Sequence, residues 1–145
     1  MDYELLFSGA GVLAMFGWLM LIMSPWLPIW SDRVAGVAIP AILASAYFII
    51  IVLFPTERGG FGSFAEVSEL FSEPQALMAG WIHFLAFDLL IGAWICRKAR
   101  AEGIRFWFVA PCLPVTFILG PVGFLLFSIV WAGNSILAKR SLARL

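Results

Sequence analysis

Charge, histidine and cysteine are what this chain has least of. Only 12% of its 145 residues are charged, where a soluble domain carries about a quarter. Nine cations balance nine anions, so the formal net charge is zero. That removes the basic surface a nucleic-acid-binding protein needs. The lone histidine is His83, and the two cysteines, Cys96 and Cys112, are not in a C-x-x-C pattern. Such a set excludes a zinc or iron–sulfur centre built from its own thiolates and imidazoles. No metal and no cofactor are expected, and the cysteines read as small apolar residues. A basic leader is missing too: the start, MDYELLF, carries Asp2 and Glu4. A secretory signal needs the opposite sign, so the first apolar run is expected to be retained.

What is abundant is apolar surface. The chain is 63% hydrophobic with a mean hydropathy of +1.00. It must use lipid as its solvent, and an all-α integral membrane protein is the expected class. Hydropathy and breakers place four spans, at about 5–24, 34–54, 75–95 and 114–137, in a single four-helix transmembrane domain over 1–145. Gly9, Gly11 and Gly17 along the first span would let another helix come close. Together with the absence of Lys or Arg inside the spans, they suggest a homo-oligomer or a place in a larger membrane complex. Trp26 and Trp30 beside Pro25 and Pro28 suit an interfacial belt. Pro40 lies inside the second span and is expected to kink it.

The connection between the second and third spans, PTERGGFGSFAEVSELFSEPQ, is the longest polar stretch. Ser63 and Glu66 form a capping box, and Phe64, Val67 and Phe71 recur at helical spacing. A short amphipathic helix at the membrane interface follows from this. A second capping box, Ser72 with Gln75, is expected to open the third span. In the last apolar stretch, Pro111 and Pro114 disfavour helix before them. Gly120-Pro121-Val122-Gly123 should open the fourth span near Phe117 and line a cavity. With four spans, Arg33 and the cluster Arg97, Lys98, Arg100 and Arg105 share one side. Arg58, Lys139, Arg140 and Arg144 share the other. Five against four leans weakly to both termini outside the cytoplasm.

The third span holds the candidate site, WIHFLAFDLLIGAW from Trp81 to Trp94. Asp88 near a bilayer centre costs roughly 2.5–3.5 kcal/mol, which makes it a functional candidate by default. No lysine or arginine in the spans can pair with it, so the neutral acid is the expected form. His83 lies about 7.5 Å away along the axis and about 140° around it. Both can border one bundle interior. Tyr47 and Ser45 of the second span and Pro121 and Gly123 of the fourth are expected to close that cavity. Trp81, Phe84, Phe87 and Trp94 would line it.

Residues 71–90, FSEPQALMAGWIHFLAFDLL, resemble the plant plastid membrane family required for neoxanthin synthesis, the abscisic-acid-deficient type, which has bacterial relatives. The matching positions are Phe71, Ser72, Leu77, Trp81-Ile82-His83 and Asp88-Leu89, with Pro121-Val122-Gly123 downstream. Members often carry a basic residue five places after the aspartate, where this chain has Ala93. The resemblance implies a cofactor-free isomerisation of a carotenoid end-ring epoxide to an allene and a hydroxyl. Such chemistry asks for an acid at the epoxide oxygen and a base for a carbon-bound proton. Asp88 and His83 are the candidates for acid and base, and Trp81, Phe84, Phe87, Tyr47, Pro121 and Gly123 for substrate binding. An isomerase-like enzyme acting on a carotenoid or other isoprenoid, in a bacterial inner membrane, is therefore the first reading. A pigment- or lipid-binding accessory subunit without turnover is the alternative. A proton-relay transporter is third, since a chain without visible repeats is small for a carrier.

Overall fold

A computed structural model describes residues 2–142 of the chain, with side chains as far as 136. Among the described residues there are helices and no strand. Three helices are long and apolar enough to cross a membrane: α1 (Tyr3–Ile22), α2 (Pro28–Leu53) and α4 (Pro74–Ala101). Between the last two lies α3 (Phe64–Leu70), and three more helices follow: α5 (Phe106–Val109), α6 (Cys112–Ile118) and α7 (Gly120–Leu142). The basic side chains of the tail, Lys139, Arg140 and Arg144, lie outside the described residues.

Helix α4 is the centre of the bundle. Half of its apolar window is buried, against 22% for α1 and 28% for α2. Its buried face is rich in small residues: Ala79, Ala86, Gly92, Ala93 and Ala99. Lipid tails are as apolar as leucine, so spans associate through close packing, and small residues permit it. Gly92 shows this directly. A Cβ there would stand 2.8 Å from Leu21 Cδ1 and 2.9 Å from the Trp18 ring. Gly17, expected to serve contact with another helix, instead packs inside the chain against Leu89 and Ile39. Gly9 and Gly11 have open space around them.

Contacts along α4 fix the direction of its neighbours. Phe7 stacks on Trp81 at 5.0 Å, and Trp18 and Leu21 meet Gly92. Helix α1 therefore runs parallel to α4. Asp32 pairs with Arg100 at 2.6 Å, and Tyr47 meets His83 with ring centroids 5.6 Å apart. Helix α2 therefore runs antiparallel.

The second apolar helix starts at Pro28, six residues before the expected 34. Pro28 takes the first-turn position, where a missing N–H costs nothing. The kink expected at Pro40 takes a specific form. Val34–Ala38 is a π-helical turn, with the Ile39 amide donating to the Val34 carbonyl. Pro40 cannot serve the carbonyl four residues upstream, and the turn before it widens. Pro55 ends the helix, because the residue before a proline avoids the helical region: Phe54 has φ −130 and ψ 62.

In the connection, the Ser63 hydroxyl accepts from the Glu66 amide at 3.2 Å. The Glu66 carboxylate reaches back to the Gly62 amide at 3.1 Å, one residue beyond the usual partner. Gly59 sits at φ 79, with the Leu70 backbone where a side chain would go. The second capping box does not form. Glu73 is the N-cap of α4 and makes no side-chain cap bond. The Ser72 hydroxyl instead donates to the Glu69 carbonyl at 2.6 Å, closing α3.

The stretch expected as a fourth span opened by its Gly-Pro pair, 114–137, is divided outright. Helix α6 ends at Ile118, Leu119 is extended (φ −141, ψ 71), and α7 begins at Gly120. The break falls two residues after the expected Phe117, just before the Gly-Pro pair that forces it. The two halves fold against each other, and Gly123 is the reason they can. Any Cβ on Gly123 would run into the Thr116 hydroxyl and backbone.

Candidate functional site

The structure sorts the sequence-derived candidates into two groups on different faces of α4. The first lines a pocket of about 780 Å³ between α2, α4 and the connection that roofs them. Tyr47, Trp81, His83 and Phe84 contribute to its wall. A drug-sized ligand site occupies about 300–1,000 Å³ with apolar walls and a few polar groups, and this pocket fits that description. Its titratable side chains are His83 and Tyr47, and Gln75 and Thr56 add hydrogen-bonding groups near the roof.

His83 is held by aromatic neighbours. Its ring stacks on Phe87 at 4.4 Å and tilts against Tyr47 at 5.6 Å. Phe87 itself is 52% exposed and supports the imidazole from outside the pocket. Trp81 is sandwiched between Phe7 and Phe84. Its indole N–H is buried with no hydrogen-bond partner. A buried donor left unmade costs about 1–3 kcal/mol.

Asp88 belongs to the second group. It is 5% exposed and faces the break between α6 and α7. Its Oδ1 lies so close to Gly120 that the position has no room for a Cβ. Its Oδ2 is buried with no partner. The start of α7 carries the orphan amides and partial positive charge of a helix N-terminus, and the carboxyl group sits against it. Gly123, one turn on, packs on Thr116, whose hydroxyl donates to the Cys112 carbonyl at 2.7 Å. Pro121 is exposed.

One cavity bordered by His83 and Asp88 together is therefore not what the fold builds. The five-residue spacing turns them toward different neighbours: His83 to α2, Asp88 to α7. Neither Asp88, Pro121, Gly123 nor Phe87 lines the large pocket. Ser45 does not approach Asp88 either; its hydroxyl returns to the Ala41 carbonyl at 2.8 Å. Trp94 packs on Phe124 and Phe127 of α7, away from the pocket.

The position five places after the aspartate, Ala93, is fully buried. It lies against Gly36 in the π-turn of α2, 3.4 Å from where a Cβ would stand. One turn further along the same stripe, the Arg97 guanidinium covers Gly36. The cation of this stripe thus stands at 97, nearer the helix end than a cation at 93 would.

Sequence reasoning missed the roof. Phe54, Phe61, Leu70, Phe71 and Gln75 complete the pocket. Phe71 reaches α4 because Gly80 leaves space: a Cβ there would be 2.7 Å from Phe71 Cε1. The aromatic content of the connection was the available signal. No group of three or more His, Cys, Asp or Glu able to hold a metal occurs among the described residues.

In comparison with known proteins, the family model described as ABA DEFICIENT 4-like matches residues 5–127. No curated protein and no solved structure matches the chain.

Proposed function

The chain belongs to the ABA DEFICIENT 4-like family, and from that premise we propose that it binds the end group of a carotenoid or related isoprenoid and isomerises it without a redox cofactor. The observation that carries this reading is the apolar pocket of about 780 Å³ with an imidazole and a phenol on its wall. A polyene end ring is apolar and bulky, and oxygenated rings add one or two polar atoms. The pocket offers matching groups at His83 and Tyr47.

The chemistry balances within the substrate. His83 takes a carbon-bound proton, and that electron pair becomes the new double bond. The epoxide C–O bond breaks, and its oxygen receives a proton from an acid. Tyr47, with its ring 5.6 Å from that of His83, would be that acid, and return of the imidazolium proton to the phenolate would reset the pair. Asp88 serves the same proton inventory only if the substrate extends past α4 to the α6–α7 break. Its nearer role is to fasten that break to the central helix.

The binding-only reading rests on the same pocket and on the separation of His83 from Asp88. One experiment decides between them. The protein is expressed in a host that makes an epoxy-carotenoid, and the pigments are separated by chromatography. A new allenic or otherwise rearranged product, lost in His83→Gln while pigment still copurifies, supports the enzyme. Copurified pigment without any product supports the accessory subunit. Neither product nor pigment would sink both readings.

A further inference from the structure

We infer that the last apolar stretch does not cross the membrane but enters and returns, so that the chain spans three times and its acidic and basic ends face opposite compartments. This inference stands apart from the isoprenoid reading. It rests on the register between α7 and the central helix.

Gly120 lies against Asp88. Phe124 and Phe127 pack on Trp94, with ring centroids 5.5 and 5.7 Å away. Lys98 Nζ stands 4.3 Å over the Trp131 ring. The Asn134 amide donates to the Glu102 carbonyl at 3.4 Å. From Asp88 to Glu102 and from Gly120 to Asn134 the count is the same, fourteen residues. At 1.5 Å per residue both cover about 21 Å. Helix α7 therefore runs parallel to the second half of α4, from its middle to its C-terminal end. Asp88 is central in a helix bounded by Pro74 and Ala101, so α7 starts near the bilayer midplane.

Helix α6 makes the inward leg. The chain turns at Gly103, with φ 65, and re-enters through α5 and α6. Phe117 reaches Trp18 at 5.5 Å, the level of Gly92. Seven residues in α6 and four in α5 are too few for a hydrocarbon core of about 30 Å, which needs ~20. Leu119 is 54% exposed, and its irregular backbone is tolerated at that depth because its polar groups are satisfied within the chain. Its amide donates to the Val115 carbonyl at 2.7 Å, and its carbonyl accepts from the Gly123 amide at 3.0 Å.

This path redistributes the charges. The end holding the 54–73 connection and the start of α1 carries Asp2, Glu4, Glu57, Glu66, Glu69 and Glu73, with Arg58 its one cation among the described residues. The other end carries Arg33, Arg97, Lys98, Arg100 and Arg105, with Asp32 and Glu102 as its anions. Exposed Trp26, Trp30 and Trp107 surround them, at 73%, 59% and 85% exposure, in the manner of an interfacial aromatic belt. The near-tie of five against four under four spans counted Lys139, Arg140 and Arg144 with Arg58; among the described residues the ratio is five against one. The basic end faces the cytoplasm and its anionic lipid headgroups, and the roof of the pocket faces the opposite side.

The test places two reporters on one chain, with the unmodified protein as labelling background, since Cys96 and Cys112 are buried. A fluorescent protein fused after Leu145 glows only in the cytoplasm, and alkaline phosphatase at the same point is active only outside. Ser68→Cys in the roof is probed in intact cells with a membrane-impermeant maleimide. The expected result is fluorescence without phosphatase activity, together with Ser68→Cys labelled from outside. Reporter and cysteine on the same side would establish a fourth crossing and overturn the inference. Opposite sides with the cysteine inside would keep the hairpin and overturn the orientation.

Discussion

Replacing Gly120 by alanine puts a methyl group into the Asp88 carboxyl. The added Cβ would meet Oδ1, and would stand 2.7 Å from Cγ and 3.1 Å from Oδ2, where ordinary contact begins at 3.4 Å. Relief is hard to find. Asp88 is 5% exposed on the central helix and its short side chain has few rotamers. Gly120 is fixed in turn by Gly123 against Thr116. Overpacking of this kind costs about 1–3 kcal/mol. For a chain of this size that lowers the melting temperature by about 3–9 °C. Gly133→Ala on the same helix is the control, because nothing lies within 4 Å of its Cβ. The assay is thermal unfolding of purified protein in detergent, followed by the fluorescence of the fused reporter. It is run on Gly120→Ala, Asp88→Ala and the double variant. With the carboxyl removed, the methyl fits, so the two changes should couple by roughly 1–2 kcal/mol in the favourable direction. Strict additivity would falsify the contact between α4 and the α6–α7 break, and the register built on it.

Four other outcomes follow from named residues. Gly123→Ala should destabilise more than Gly133→Ala in the same melting assay, since its Cβ meets Thr116 backbone that cannot swing away; equal melting temperatures would count against the tight α6–α7 turn. Asp32→Asn should cost less than about 1 kcal/mol, and added salt should erase the difference, because both partners of the Arg100 pair are about one-third exposed; a larger, salt-independent loss would show a buried interaction. Lys98 holds the Glu102 carboxyl below its ordinary range, so the contribution of that ion pair should be present at neutral pH and be lost as pH falls through the acid range; Glu102→Gln should remove this part of the acid-side slope, and an unchanged slope would contradict it. Gly9 and Gly11 face open space on α1, so if a second copy packs there, Gly9→Ile should shift native detergent mass toward the monomer, whereas a parent already monomeric at every concentration would end the homo-oligomer proposal.

Composition and hydropathy by themselves determined the solvent, the helical class and three of the crossings. Twenty or more apolar residues in a row leave the backbone no other way to satisfy its hydrogen bonds in lipid. Local chemistry determined the ends as well: Ser63 capped its helix, Pro55 stopped one, and Pro121 broke another. The family resemblance was carried by a short run around Trp81 and Asp88. Direction was the part left to tertiary structure. A hydrophobic run from Phe106 onward has length but no sign, and the same residues serve a straight span or a hairpin. The contacts of α7 along α4, from Gly120 with Asp88 to Asn134 with Glu102, set the direction of its return. The site was undecided for a related reason. Helical spacing puts His83 and Asp88 about 140° apart, which is compatible with one cavity or two. The neighbours made the choice: α2 and the roof set His83 on the wall of an open pocket, while α7 closed over Asp88.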